Sequence, residues 1–234
     1  MRLPTVSEMP RATACPASVV LPRHPDDEEQ SASALRGSRI HAYIAARFRR
    51  WTLPDIGKTK VHHIQLGTLR RYLGHGELRC ELAMSYDGTK VEVLGENIGR
   101  DYHRPGTLCG SADIVVVRPH ALVLDIKTGS LPVASPAENW QIATLAALFA
   151  LAYKVESVTG VIATLARDGS WTFDAHAWSL ADLAAIRRRI DAAKATWQEA
   201  HEQEESGWGA TPTPGAHCRF CKCVCSENAF ERAA

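Results

Sequence analysis

The sequence predicts an α/β fold, a mixed central sheet with helices on its faces. Three observations carry this. Two β-branched apolar runs, Ala112–Val117 and Ala121–Lys127, flank a short Arg118-Pro119-His120 turn and read as a hairpin. The following stretch, Glu138–Tyr153, is apolar nearly all round and reads as a buried helix. Further strand pairs stand on either side, each turned at an Asp-Gly step, Asp87-Gly88 and Asp168-Gly169.

Taken in order, residues 1–14 are expected to be poorly ordered. A polar stretch with Pro22 and Pro25 follows, then Asp26-Asp27-Glu28-Glu29, an acidic run suited to a helix N-terminus. A helix is expected from about Glu28 to Trp51. Residues 52–76 carry no clear pattern. Leu78–Tyr86 and Thr89–Leu94 form the first strand pair, and Gly95–Thr107 reads as a loop. After the central hairpin, Ser130–Pro136 is a Pro-bearing loop. Beyond the buried helix lie strands Ser157–Ala166 and Ser170–Trp178. Ser179-x-x-Asp182 resembles a capping box with Asp in the Glu position, opening a long helix to about Glu204. Gly207–Gly215 is a Gly/Pro/Thr linker. The expected organisation is an N-terminal tail (1–14), one domain (15–206) and a cysteine-rich segment (207–234).

Composition sets limits. With 234 residues and 45% hydrophobic, the chain can build one sizeable core. The net charge of +1 means that any basic surface must be local. No run approaches the ~18 apolar residues of a membrane span, and the start lacks a signal-peptide core. A cytoplasmic protein without a membrane partner is therefore expected. Seven cysteines is an odd number, and four of them fall between Cys218 and Cys225. In a reducing compartment such crowding favours metal ligation over a disulfide framework.

The hairpin contains the candidate chemistry. Asp113 lies six residues before Pro119 and Asp125 six after it. A symmetric turn sets the two acids opposite each other, with Cβ atoms about 4.5–5.5 Å apart. Lys127 points to the same face as Asp125. Opposed acids on apolar strands repel each other and lose solvation, and a hard divalent cation such as Mg²⁺ or Mn²⁺ relieves both penalties. An Asp-x-Lys pair by itself reads as a solvated ion pair. In the first helix Gly37 and His41 share a face. Gly37 suggests a close contact there, whereas His41 alone reads as a structural or surface histidine. Glu81 reads as a surface strand residue or, alternatively, as an extra carboxylate for the site. Gln141, in the first turn of the buried helix, either satisfies a backbone group or bonds a catalytic group or DNA.

Gly37-x-x-x-His41, Gly110-x-x-Asp113, Asp125-x-Lys127 and Gln141, in that order, resemble the RecB-like exonuclease branch of the PD-(D/E)xK nuclease superfamily. With Cys15 and the C-terminal cysteines, they are similar to the subgroup carrying an iron–sulfur cluster. That subgroup includes CRISPR-associated exonucleases and phage or prophage recombination nucleases. The Ala14-Cys-Pro-Ala-Ser18 and Asp125-Ile-Lys-Thr-Gly129 runs look nearest to phage-type members. The resemblance spans residues 12–226, carried by about a dozen positions. It implies a restriction-endonuclease-like core whose termini are joined by a cysteine metal cluster. It implies His41, Asp113, Asp125 and the Ile126 carbonyl as ligands of Mg²⁺ or Mn²⁺. Asp113, Asp125, Lys127 and Gln141 would be catalytic, with Lys127 orienting or activating the attacking water. Gln141 matches the Gln of the family's Gln-x-x-x-Tyr motif, but Leu145 stands where Tyr is usual.

The implied activity is hydrolysis of DNA in phage or bacterial recombination or repair, on single strands or DNA ends in an exonuclease sense. A recombinase, annealing protein or helicase is the implied partner. For the cluster, the resemblance implies Cys15, Cys218, Cys221 and Cys225 around a 4Fe-4S centre, with Cys223 as the substitute for Cys225. A local four-cysteine Zn²⁺ site is the alternative, and Cys80 and Cys109 read as ordinary buried thiols. Two other functions stay open: a non-catalytic DNA-binding or assembly subunit with a degenerate site, and a zinc-stabilised interaction protein.

Overall fold

The computed structural model describes residues 3–23, 31–50, 52–99, 102–129, 132–221 and 223–225. In chain order these form helices α1 (Met9–Ala14), α2 (Ala32–Arg49) and α3 (Leu66–Leu73), then strands β1 (Leu78–Tyr86), β2 (Val91–Glu96), β3 (Leu108–Val116) and β4 (Leu122–Lys127). Helix α4 (Trp140–Tyr153), strands β5 (Ser157–Leu165) and β6 (Trp171–Ser179) and helix α5 (Leu180–Glu205) follow. The expected mixed α/β architecture is present. One six-stranded sheet runs β2-β1-β3-β4-β5-β6, and β4 and β5 are its parallel pair.

Each face of the sheet buries its own layer. Ile40 and Ile44 of α2, with Leu69 and Leu73 of α3, pack on Ile114, Leu124, Ile126 and Val161. On the other face α4 lies buried from Ile142 to Ala150. It is backed by a stripe of α5, Leu183, Ile186, Ile190 and Trp197. That spacing of three and four is the apolar face of an amphipathic helix. The capping box forms: Ser179 N–H donates to Asp182 (2.9 Å), and Asp182 N–H donates back to Ser179 Oγ (3.3 Å).

Three expectations are corrected. Residues 3–14 are ordered: Leu3, Val6, Met9 and Ala12 are buried in the α4/α5 layer, and Trp197 Nε1 donates to Ala12 O (2.9 Å). Apolar residues every third position suit the 3-10 turn at Val6–Glu8 and the short α1 behind it. Residues 52–76 contain α3, whose Leu66, Leu69 and Leu73 face the core. Strand β2 extends to Glu96, into the stretch read as a loop. The predicted start of α2 and its acidic run at 26–29 lie outside the described residues. The helix itself is capped by Ser31 Oγ, which accepts from Ala34 N–H (3.2 Å). No helix among the described residues is long and apolar enough to cross a membrane.

Candidate metal centre

The central hairpin has the register that its symmetry about Pro119 predicts. Its last paired residues are Ile114↔Leu124, which sets Asp113 opposite Asp125 one step further on. There the strands open, and a side chain replaces the ladder. Ile126 N–H donates to Asp113 Oδ2 at 2.6 Å, a short charge-assisted bond.

A third acid is aligned with these two. β1 pairs with β3 at Cys80↔Ile114 and Leu82↔Ala112, so Glu81 falls opposite Asp113. Residues two apart on a regular strand share a face. Here Cys80 and Ile114 pack with the α2/α3 layer, whereas Leu82 and Ala112 pack with the α4/α5 layer. Both strands turn over at this step. Glu81 makes the turn with a left-handed backbone, φ 51°, which a non-glycine residue adopts at a cost of about 1–2 kcal/mol. Its carbonyl accepts from Asn97 N–H (3.1 Å).

α2 supplies the fourth group. Gly37 lets the helix approach the end of β4, since a Cβ there would lie 3.0 Å from Thr128 Oγ1. The expected close contact at Gly37 is thus a strand end. One turn later His41 Nδ1 lies 3.0 Å from Asp113 Oδ1. His41, Glu81 and Asp113 each offer an atom within 4.8 Å of the others'. His41 and Glu81 open on a cleft of about 280 Å³, also lined by Ser38, Asn97 and Ser111, with Asp113 behind them.

Beside this trio lies a second set. Asp125 is 5% exposed, and both its oxygens are engaged. Oδ2 pairs with Lys127 Nζ (2.8 Å), and Oδ1 accepts from Gln141 Nε2 (2.9 Å). Gln141 Oε1 in turn accepts from Lys127 Nζ (3.0 Å). Asn139 caps α4 by accepting from Gln141 and Ile142 N–H groups, and so fixes the first turn that holds Gln141. Gln141 therefore bonds both charged groups rather than a backbone partner. Leu145 is buried in the core against Gly110.

The electrostatics follow from three acids in a small volume. Burial pushes Glu81 up to about 7, and the charge of Asp113 adds to it, against a lowering by His41. Burial also raises Asp125, to about 6; Lys127 opposes the rise and Asp113 reinforces it. Burial would raise Asp113 as well, but the charge and hydrogen bond of His41 hold it below the usual carboxylate range. Burial would lower His41, yet Asp113, then Glu81 and Asp125, raise it to about 9. Without metal, the His41 imidazolium is thus the countercharge of the site. A cation bound there would take the place of its proton.

Of the expected ligands, the structure brings His41 and Asp113 together. Asp125 faces Lys127 and Gln141 instead, and Ile126 meets the site through its N–H, which donates to Asp113. Glu81, read first as a surface residue, completes the trio of one imidazole and two carboxylates. These donors suit a hard or borderline divalent ion such as Mn²⁺ or Mg²⁺.

The cysteines lie at a second place. Cys15, Cys218, Cys221 and Cys223 are buried, while Cys225 is half-buried. Thr213 N–H donates to Cys15 Sγ (3.3 Å), Cys223 Sγ donates to Ser18 O (3.2 Å), and Val224 N–H donates to Pro22 O (2.8 Å). The N-terminal cysteine segment and the C-terminal one therefore pack together. Burial, then the neighbouring Cys221, raises the Cys223 thiol to about 12. Cys80 and Cys109 are buried in the sheet, as expected of ordinary thiols.

No protein-family model and no curated protein matches this chain. Among solved structures, the crystal structure of SSO0001 is similar to it at 18% identity and a TM-score of 0.40, over 97% of this chain and 88% of that one. A likeness at that level carries no argument about fold or function.

Proposed function

We propose that the chain is a divalent-metal-dependent deoxyribonuclease. The observation that supports this best is that His41, Glu81 and Asp113 bring ligand atoms within 4.8 Å of one another at a cleft lined by His41 and Glu81, with the Asp125–Lys127–Gln141 set beside them. A divalent ion there would lower the pKa of a bound water and offset charge on the phosphoryl oxygens. Lys127 is oriented by two acceptors, Asp125 and Gln141. An ammonium has three N–H donors, so one remains for a water or a phosphoryl oxygen. A cation held ready beside a developing negative charge favours the transition state over the ground state. Gln141 keeps Lys127 and Asp125 in mutual register.

DNA ends or single strands as substrate, the exonuclease sense, a role in recombination or repair and a helicase or annealing partner rest on the family resemblance alone. On the same footing, the packed cysteine segments would hold a 4Fe-4S cluster or, alternatively, Zn²⁺. Such a centre would staple the two ends of the chain. Four buried thiols on two abutting segments fit that donor set, with Cys223 favoured over the more open Cys225.

A second reading, a DNA-binding subunit without activity, draws on Leu145. Its burial removes it from any surface that DNA contacts. Digestion of end-labelled single- and double-stranded DNA by anaerobically purified protein separates the two readings. Mg²⁺- or Mn²⁺-dependent cleavage, lost with EDTA and in Lys127→Ala, is the expected result. Binding without cleavage by folded, metal-loaded protein would support the subunit instead.

A further inference from the structure

A second cleft, of about 580 Å³, lies on the flank of α2, away from the metal centre. Arg36 and Arg39 of α2 line it together with Lys58, Lys60 and His63 of the loop before α3 and Arg167 of the β5–β6 turn. Three segments distant in sequence thus bring six basic side chains to one hollow, in a chain whose net charge is only +1. The cleft is also built. The Arg39 guanidinium packs over Gly57, where a Cβ would lie 3.1 Å from Nη1. Gln65 N–H donates to Gly169 O (3.0 Å), which ties the loop to the β5–β6 turn. Among the described residues, none of Arg36, Arg39, Lys58, Lys60 and Arg167 forms an ion pair. Among the described residues, the acids nearby are Asp168, which acts on His63, and Asp55, which accepts from Gly57 N–H.

Its position links it to the candidate centre. Ala32, Leu35, Arg36 and Arg39 form one face of α2, and Ser38, His41 and Ala42 form the next. From Arg36 to His41 the helix rises only about 7.5 Å. Lys127 pairs with Thr164 on the parallel strand, so Arg167 lies just beyond the same strand ends as Lys127. The space outside the carboxyl ends of parallel strands is where open α/β sheets bind ligands.

We infer that this cleft binds the phosphodiester backbone of a single nucleic-acid strand and leads it across α2 toward His41, Glu81 and Asp113. The inference deepens the nuclease reading and rests on it for the strand's destination. The cations provide affinity by releasing counterions from the phosphates, without reading bases. A hollow of 580 Å³ is about 8 Å on a side. That is room for the backbone of one strand to enter.

The test is fluorescence anisotropy of a labelled single-stranded DNA oligonucleotide over a range of KCl concentrations. It is done in EDTA, in a Lys127→Ala background that cannot cleave. Arg36→Ala/Lys58→Ala/Lys60→Ala removes three exposed charges. Each single-strand phosphate contact contributes about 0.7 to the log–log salt slope, so the slope should fall by about 2. At ~0.1 M salt the same loss weakens binding about 100-fold, if affinity at 1 M is unchanged. Arg167→Glu, on a separate element, should weaken binding as well, and Arg188→Ala on the exposed side of α5 should not. Unchanged affinity and slope in variants with a native circular dichroism spectrum would overturn the inference. So would absent binding by the unsubstituted cleft, or equal binding of the matching duplex. The metal-dependent cleavage assay is read separately. Cleft-dependent binding without cleavage removes the nuclease reading and leaves the cleft, whereas cleavage with cleft-independent binding does the reverse.

Discussion

Replacing Glu81 with Asn should stabilise the metal-free protein and cripple its metal binding. Glu81 is raised from 4.5 to about 7 by burial and by Asp113. A rise of that size, at about 1.4 kcal/mol per pKa unit, is worth about 3 kcal/mol. The sign follows from linkage. A group whose folded pKa lies above its unfolded value holds its proton more tightly when folded, so wild-type stability falls as pH rises from about 4.5 through 7. Asn cannot titrate, and it tolerates the left-handed backbone at φ 51° better than Glu. Urea unfolding in EDTA should show Glu81→Asn about 3 kcal/mol more stable than wild type near pH 8, with little of that difference left near pH 4. Mn²⁺ at about 100 times its Kd should stabilise wild type by about 2.7 kcal/mol and the variant far less. A variant less stable than wild type near pH 8 in EDTA would show that the carboxylate does not carry this penalty. Equal stabilisation by Mn²⁺ would remove Glu81 from the ligand set.

Other expected outcomes concern the rest of the fold. Burial would raise Glu8, but the Thr5 backbone N–H, Arg11 and Arg23 hold it at about 2. Glu8→Ala should therefore cost on the order of 3 kcal/mol above pH 5. The cost should shrink as pH falls from about 4.5 toward 2, read by urea unfolding at each pH. Gly110→Ala drives a Cβ to within 2.5 Å of Val6 Cγ2, an overpacking expected to cost about 1–3 kcal/mol. The same Cβ would lie 2.6 Å from Val6 Cβ, so Val6→Gly rather than Val6→Ala should recover part of it, and an additive double mutant would refute the contact. Cys223→Ser should lose bound metal by elemental analysis while Cys225→Ser retains it; the opposite order would assign the half-buried thiol.

Much of the sheet was legible because its signals are local. Pro119 sits midway between Asp113 and Asp125, and apolar strands around so short a turn had one sensible register. The α4 helix was apolar all round, and Ser179 and Asp182 had the spacing of a cap. The N-terminal strap was also written in the chain, but faintly. Leu3, Val6, Met9 and Ala12 recur every third residue, and Thr5-x-x-Glu8 has the capping-box spacing, of which Thr5 N–H to Glu8 forms at 2.8 Å. Short 3-10 turns have no longer periodicity to reinforce them. Glu81 was illegible in position because nothing in Arg79-Cys80-Glu81-Leu82 asks for a left-handed residue. That conformation is imposed by the two layers that Cys80 and Leu82 enter. The basic cleft was invisible for a different reason: its six side chains come from three segments that only the tertiary fold brings together.

The strap also sets an order for the chain's maturation. Cys223 meets Ser18 across 205 residues, and Trp197 meets Ala12 across 185. On a ribosome adding about 5–20 residues per second, the N-terminal segment waits roughly 10–40 s for its last partner to be made. The candidate centre waits for nothing so late, because its residues lie between Gly37 and Gln141 and the sheet around them ends at Ser179. Chains that stall before Trp197 would carry a complete set of site residues and an unfastened strap, with Leu3, Val6 and Met9 lacking part of their cover. Fastening thus follows completion of the candidate centre, and a protease that cuts a loose strap would separate chains extended past Cys223 from those that are not.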